Sequence, residues 1–193
     1  MPTAVVLSVT KYSDTGIIAH LYTADHGRMQ YVVYGNKYKG FLRPLSIIEF
    51  TSTKMKNAPY QMGTLSSVAM LYTPQKLTIE VQRQCIAIFI AEILNITLRH
   101  PMSDKPLYEW LCHVIQLLDK EEDISNLHLQ FLMDYTTYMG IGIDYEEHPD
   151  WFNVPTNRQE RQQRLRELCK YYEDHIEDFR IPKSLEVLIE VFD

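Results

Sequence analysis

Two hydrophobic rhythms share this chain, and they change over near residue 75. Before that point, residues 4–9, 17–23, 29–34, 45–53 and 65–72 are rich in β-branched and aromatic side chains. Their tendency to alternate apolar and polar positions is the pattern of strands that bury one face. Alternation is clearest at His20, Leu21 and Tyr22 and across residues 46–53, and weaker where Ile and Val cluster. Ser13-Asp14, Asp25-His26-Gly27 and Tyr34-Gly35-Asn36 supply turns, Asn57-Ala58-Pro59 separates the fourth strand from the fifth, and Pro74 ends the series. No helix-length segment lies between the strands. They therefore predict a small barrel rather than a parallel sheet with crossover helices.

After residue 75 the period lengthens. Val81, Cys85, Phe89 and Ile93 recur every four residues, with Ile86, Ile90 and Leu94 beside them. This apolar band is too broad for a half-exposed surface helix, so residues 80–99 predict a central helix. Arg83, Gln84, Glu92, Asn95 and Arg99 are left for a narrow wet side. Pro101 and Ser103-Asp104 break and cap the chain, and Pro106 suits the first turn of a second helix facing inward with Leu107, Leu111, Val114 and Leu118. Leu127, Phe131, Tyr135 and Met139 mark a third, ended by Gly140. Residues 143–155 have no period, and Trp151-Phe152 reads as an exposed pair. Asn157 caps a fourth helix over 158–176, and Pro182 precedes a short last one that docks through Leu185, Leu188 and Phe192. The predicted class is α+β, with a five-stranded barrel domain at residues 1–75 and an all-helical domain at 76–193.

Composition adds limits. The chain has 193 residues, 46% of them apolar and 23% charged, enough for a real core. No apolar run reaches membrane-spanning length, and residues 1–9 lack the features of a secretory signal. A cytoplasmic protein with no membrane partner is expected. Cys85, Cys112 and Cys169 are scattered in apolar helical patterns and read as buried thiols, with no metal or other cofactor. His148 beside Glu146, Glu147 and Asp150 is ordinary loop composition, and Asp14, His20, Asp25 and His26 form no catalytic constellation. A non-enzymatic role is expected.

Charge changes the picture more. Residues 1–80 hold eight Lys or Arg against four Asp or Glu, a balance of +4, while the remainder holds eleven against twenty-one, or −10, giving the overall −6. An anionic partner would meet the front of the chain. There, Lys11, Arg28, Lys37, Lys39 and Arg43 interleave with Tyr12, Tyr34, Tyr38 and Phe41. Cations that neutralise phosphates beside rings that stack on bases are how single-stranded nucleic acid is held. Tyrosine is abundant throughout the chain, however, and loop lysines ordinarily only solvate, so spacing leaves both readings open.

A family resemblance narrows them. Val6-Leu7 through Lys11-Tyr12-Ser13-Asp14-Thr15-Gly16, then Tyr22-Thr23-Ala24-Asp25-His26-Gly27-Arg28, resembles the start of the bacterial RecO recombination and repair proteins, particularly Bacteroides-like forms. Tyr34-Gly35, Leu42-Arg43-Pro44-Leu45, Arg83 with Ala91-Glu92-Ile93-Leu94, Ile115-Gln116-Leu117-Leu118-Asp119 and Asn126-Leu127-His128 continue the likeness. So do Arg161, Tyr171-Tyr172-Glu173-Asp174-His175 and Lys183-Ser184-Leu185-Glu186-Val187-Leu188 near the end. The resemblance implies an OB-fold-like barrel followed by a helical domain. It implies binding of single- and double-stranded DNA, annealing of complementary strands and partnership with RecR. It also implies binding of the acidic, phenylalanine-ended tail of single-stranded DNA-binding protein and help in loading recombinase.

Carried onto this chain, Lys11, Arg28, Lys37, Lys39 and Arg43 become phosphate contacts, and Arg83, opening the central helix, joins them. Arg99 either faces the tail's carboxylates or is a solvated helix-end arginine. The basic loop after Gly35 and the stretch before the first strand are short for the family, and the stretch from Gly140 to Arg161 is much reduced. The four-cysteine zinc site of some RecO proteins has only Cys169 to represent it, so no zinc is expected. These departures leave an alternative, a protein-interaction or structural paralogue that has lost DNA binding.

Overall fold

The computed structural model describes residues 1–54 and 63–192. Five strands, β1 (Thr3–Lys11), β2 (Gly16–Thr23), β3 (Gly27–Tyr34), β4 (Ile47–Lys54) and β5 (Gly63–Met70), close into a barrel in the order β1-β2-β3-β5-β4. Among the described residues, the β3–β5 pairing is parallel and the other four are antiparallel. This is the expected OB-fold-like barrel. The predicted break at Asn57-Ala58-Pro59 lies outside the described residues.

Alternation fills the barrel, with Ala4, Val6, Leu21, Val33, Ile48 and Phe50 buried inside. Tyr31 meets Phe50 edge-on at 5.1 Å. The segment between β3 and β4 contributes to the same core, because Tyr38 and Leu42 insert into it and Phe41 packs against it. The Tyr38 hydroxyl donates to the Ser66 carbonyl at 2.8 Å. Leu45, buried, takes a left-handed φ of 61° and donates its N–H to the Val6 carbonyl at 2.8 Å. That backbone is unfavourable by about 1–2 kcal/mol for a residue with a Cβ, and burial of the leucine with its hydrogen bond offsets it.

Gly27 turns β2 into β3 with φ +64°, and a Cβ there would stand 2.1 Å from the Met102 carbonyl oxygen. Two reasons, one conformational and one steric, thus require glycine at this turn.

The helices are α1 (Val81–Thr97), α2 (Lys105–Lys120), α3 (Leu127–Tyr138), α4 (Arg158–His175) and α5 (Ser184–Val191). Asp104 Oδ1 accepts the Leu107 N–H at 2.9 Å to start α2, and Asn157 Oδ1 accepts the Glu160 N–H at 3.0 Å to start α4. Gly140, at φ +71°, follows the end of α3. By contact density the chain forms two compact units, Met1–Gln75 with Ala91–Gln116 and Lys76–Ile90 with Leu117–Asp193.

Two sequence expectations need correction. Arg83 is not on the wet side of α1: it is buried, while Val81 and Ile88 are exposed. Trp151 and Phe152 are not an exposed pair either. Trp151 is buried in a short 3-10 turn, Pro149–Phe152, stacked on His148 at 4.0 Å with its indole N–H donating to Glu167 at 3.1 Å. Phe152 alone remains exposed. Among the described residues, no helix is long and apolar enough to cross a membrane.

Candidate nucleic-acid interface

β1 ends at Lys11, β2 begins at Gly16 and β3 ends at Tyr34, and the registers Lys11↔Ile17 and Gly16↔Tyr34 bring these termini to one end of the barrel. Tyr12 and Tyr34 are 53% and 51% exposed there. Both rings reach Gly16: a Cβ on it would lie 3.4 Å from Tyr34 Cδ1 and 3.5 Å from Tyr12 Cδ1. The two tyrosines thus gather over one point of the backbone, at distances of ordinary van der Waals contact. Lys11 adjoins them, exposed and loosely paired with Asp14 at 3.6 Å, a separation that costs little to break at the surface.

The next segment starts beside the same turn, because the Gly35 N–H donates to the Thr15 carbonyl at 2.8 Å. It carries Lys37, Lys39 and Arg43, all exposed. Lys37 Nζ sits 5.0 Å from the Tyr38 ring centroid, a cation–π contact. Burial of Tyr38 and Leu42 on the barrel core fixes the backbone between these cations. The sequence grouped four aromatics together, and the structure divides them: Tyr12 and Tyr34 face solvent, while Tyr38 and Phe41 serve the core.

The three remaining candidate arginines bond carbonyls near helix ends. Arg28 lies toward the opposite end of β3, paired with Tyr22. Its guanidinium donates to the Asn95 and Leu98 carbonyls at 2.7 and 2.8 Å and to Asn95 Oδ1 at 3.3 Å. Burial, then the neighbouring Arg99, push its pKa down. Arg99 is exposed, with its Nε donating to the Ile96 carbonyl at 2.9 Å.

Arg83 is 2% exposed and fully engaged, with Glu80 at 2.6 Å, the Leu118 carbonyl at 2.6 Å and the Glu121 carbonyl at 2.8 Å. A side chain so enclosed is withdrawn from any phosphate-contacting surface, and Arg28 is largely committed in the same way. The carbonyls at helix ends lack intrahelical partners, and these cations satisfy them while complementing the helix dipole. Sequence reading missed Gly16 as the floor beneath the tyrosines. Its position at the start of β2, directly after the turn residues, was the available signal.

Comparison with known proteins supports the same architecture. Residues 2–73 match the family model described as Recombination protein O N terminal, and residues 80–150 match Recombination protein O C terminal. The chain belongs to the RecO family. The DNA repair protein RecO of Flavobacterium johnsoniae is 27% identical over 235 aligned positions, covering 98% of this chain and 97% of that protein. The RecO of Bacteroides fragilis is 27% identical over 237 positions with the same coverage. That of Christiangramia forsetii is 26% identical over 237 positions. These RecO alignments are longer than the 193 residues here, so the relatives carry additional residues within the matched span. Family membership supports a role in recombination repair, and the RecO N-terminal match falls on the barrel that carries the tyrosine pair.

Proposed function

We propose that the Gly16 end of the barrel binds single-stranded DNA, and that the chain acts without catalysis as a recombination mediator. The observation that carries this reading is the exposed Tyr12 and Tyr34 pair over Gly16, beside Lys11 and the anchored segment of Lys37, Lys39 and Arg43. The rings offer stacking faces to unpaired bases, and the cations neutralise phosphates. Reduced phosphate repulsion lets a second strand approach, which is the physical requirement for annealing. Double-stranded DNA would be held by the cations alone. Recombinase loading, RecR and the acidic tail of single-stranded DNA-binding protein belong to this proposal as partners, with exposed Arg99 offered to the tail's carboxylates.

The direct test is Tyr12→Ala with Tyr34→Ala, measured by fluorescence anisotropy on single-stranded and duplex oligomers. Base–aromatic stacking contributes about 1–3 kcal/mol per base, so single-strand affinity should fall about tenfold or more while duplex affinity changes little. Equal affinity of variant and parent for single strands would remove the stacking site.

A second reading, a protein-interaction paralogue that has lost DNA binding, draws on one observation. Arg28 and Arg83, two of the six cations first assigned to DNA, are engaged by helix-end carbonyls. Absence of DNA binding even at low salt would favour it.

A further inference from the structure

Gly16 interrupts a row of side chains that crosses three strands. Its cross-strand partner on β3 is Tyr34. On the β1 side, Tyr12 follows the last paired residue, Lys11, and its N–H donates to the Gly16 carbonyl at 3.0 Å. The row therefore runs Tyr12, Gly16, Tyr34: two aromatic side chains with no side chain between them. Neighbouring strands lie about 4.7–4.9 Å apart, so the two tyrosine backbones stand roughly 9–10 Å apart.

The rings close part of that separation. Tyr34 Cδ1 and Tyr12 Cδ1 lie 3.4 and 3.5 Å from the point where a Cβ on Gly16 would stand, which puts the two ring atoms no more than about 7 Å apart. Carbon atoms in contact sit about 3.5–4.0 Å apart, so a flat ring touching a wall on each side needs about 7–8 Å between those walls. The spacing above Gly16 is thus close to the width that one base needs. Both rings are half exposed and lie outside the core cluster that holds Tyr31 and Tyr38, so they can adjust to an inserted group. Ser13 brings a polar group to the floor, its Oγ 3.0 Å from the same point. A hydroxyl both donates and accepts, so it answers the edge of any base. Lys11, exposed beside Tyr12, stands ready for the phosphate of the inserted nucleotide.

We propose that Tyr12 and Tyr34 form one slot that takes a single unpaired base between them, over Gly16, and are not two platforms that each stack a base of their own. The slot rests on the single-strand binding proposed for this end of the barrel. Its occupant is a base turned out of its own stack, because a base between two rings must offer both faces. Paired and stacked bases of a duplex do not enter.

The test uses the full chain and fluorescent abasic strands that carry no base, one central thymine or two adjacent thymines, followed by anisotropy at low salt. One thymine should tighten binding about tenfold or more over the baseless strand. A second should add no more than the factor of about two that a choice between two bases gives. Tyr12→Ala and Tyr34→Ala should each weaken the one-thymine strand about fivefold or more, while Tyr12→Phe and Tyr34→Phe, which keep the ring, should retain its affinity. Independent platforms predict the reverse. Either alanine variant would then hold the one-thymine strand within about twofold of the parent through its remaining ring, and a second thymine would tighten the parent about tenfold again. That result would overturn the slot and leave stacking intact. No gain from any thymine in the parent would overturn the slot and the stacking site together. Thermal melts confirm that these exposed substitutions leave the fold unchanged.

Discussion

Arg28 and Arg83 donate four hydrogen bonds of 2.6 to 2.8 Å to backbone carbonyls at the ends of α1 and α2. In sequence both are simply cations in or near a basic half. What decides their role is which carbonyls fold within reach, and no local pattern encodes that. Replacing buried Arg83 with Met leaves the Leu118 and Glu121 carbonyls unpaired, and should destabilise the chain by about 3 kcal/mol in urea unfolding. Arg28→Met should cost about 1.5–3 kcal/mol for the same reason. An unchanged midpoint in either variant would contradict the capping role.

His128 makes a pH prediction at the same scale. It is buried on α3 beside Phe192, its Nδ1 without a partner among the described residues, and burial followed by the charge of Arg161 lowers its pKa from 6.5 to about 3. Between those values the unfolded chain binds a proton that the folded chain refuses. This contribution to stability is therefore complete above about pH 6.5 and is lost progressively as pH falls toward 3. Unfolding free energies measured from pH 7 to 4 should decline, and His128→Leu should flatten that decline. A slope identical in the variant would show that other groups produce it.

At the scale of elements, the strand pattern was legible because inward residues alternate, and the helices because their apolar positions recur at four-residue spacing with Asp104, Asn157 and Gly140 as punctuation. The segment between β3 and β4 was legible only as a basic loop. Its Tyr38 and Leu42 enter the barrel core, a tertiary fact that two isolated apolar residues do not announce. Trp151 escaped for a similar reason, since its partners His148, Glu167 and Arg164 come from a turn and from α4. The candidate interface was half legible: its lysines and tyrosines were named, but which rings stay exposed depended on packing. Gly27→Ala tests the tightest turn. A Cβ in a left-handed conformation against the Met102 backbone should cost more than about 3 kcal/mol, read as a large drop in the melting temperature. A melting temperature close to the parent's would contradict the close approach.

For the molecule as a whole, net charge misleads. The chain totals −6, yet the cations left exposed on the barrel, Lys11, Lys37, Lys39 and Arg43, cluster in sequence with the tyrosine pair, while the unit that contains α3, α4 and α5 carries −9. Uniform negative surface charge would repel DNA at every approach, whereas under the proposed function the exposed cations of the barrel would attract it. The RecO family match gives the barrel its context, and the mechanism proposed for its exposed groups is one that salt can interrogate.

The most direct measurement is the salt dependence of binding to a fluorescent single-stranded oligomer, for the parent and for a variant with Lys37, Lys39 and Arg43 made neutral. The parent should bind at low salt and weaken steeply as salt rises. The variant should bind more weakly, with a slope of log affinity against log salt shallower by about 2, since each lost phosphate contact on a single strand removes about 0.7. A parent that does not bind at low salt, or a variant with unchanged affinity and slope, would contradict the account.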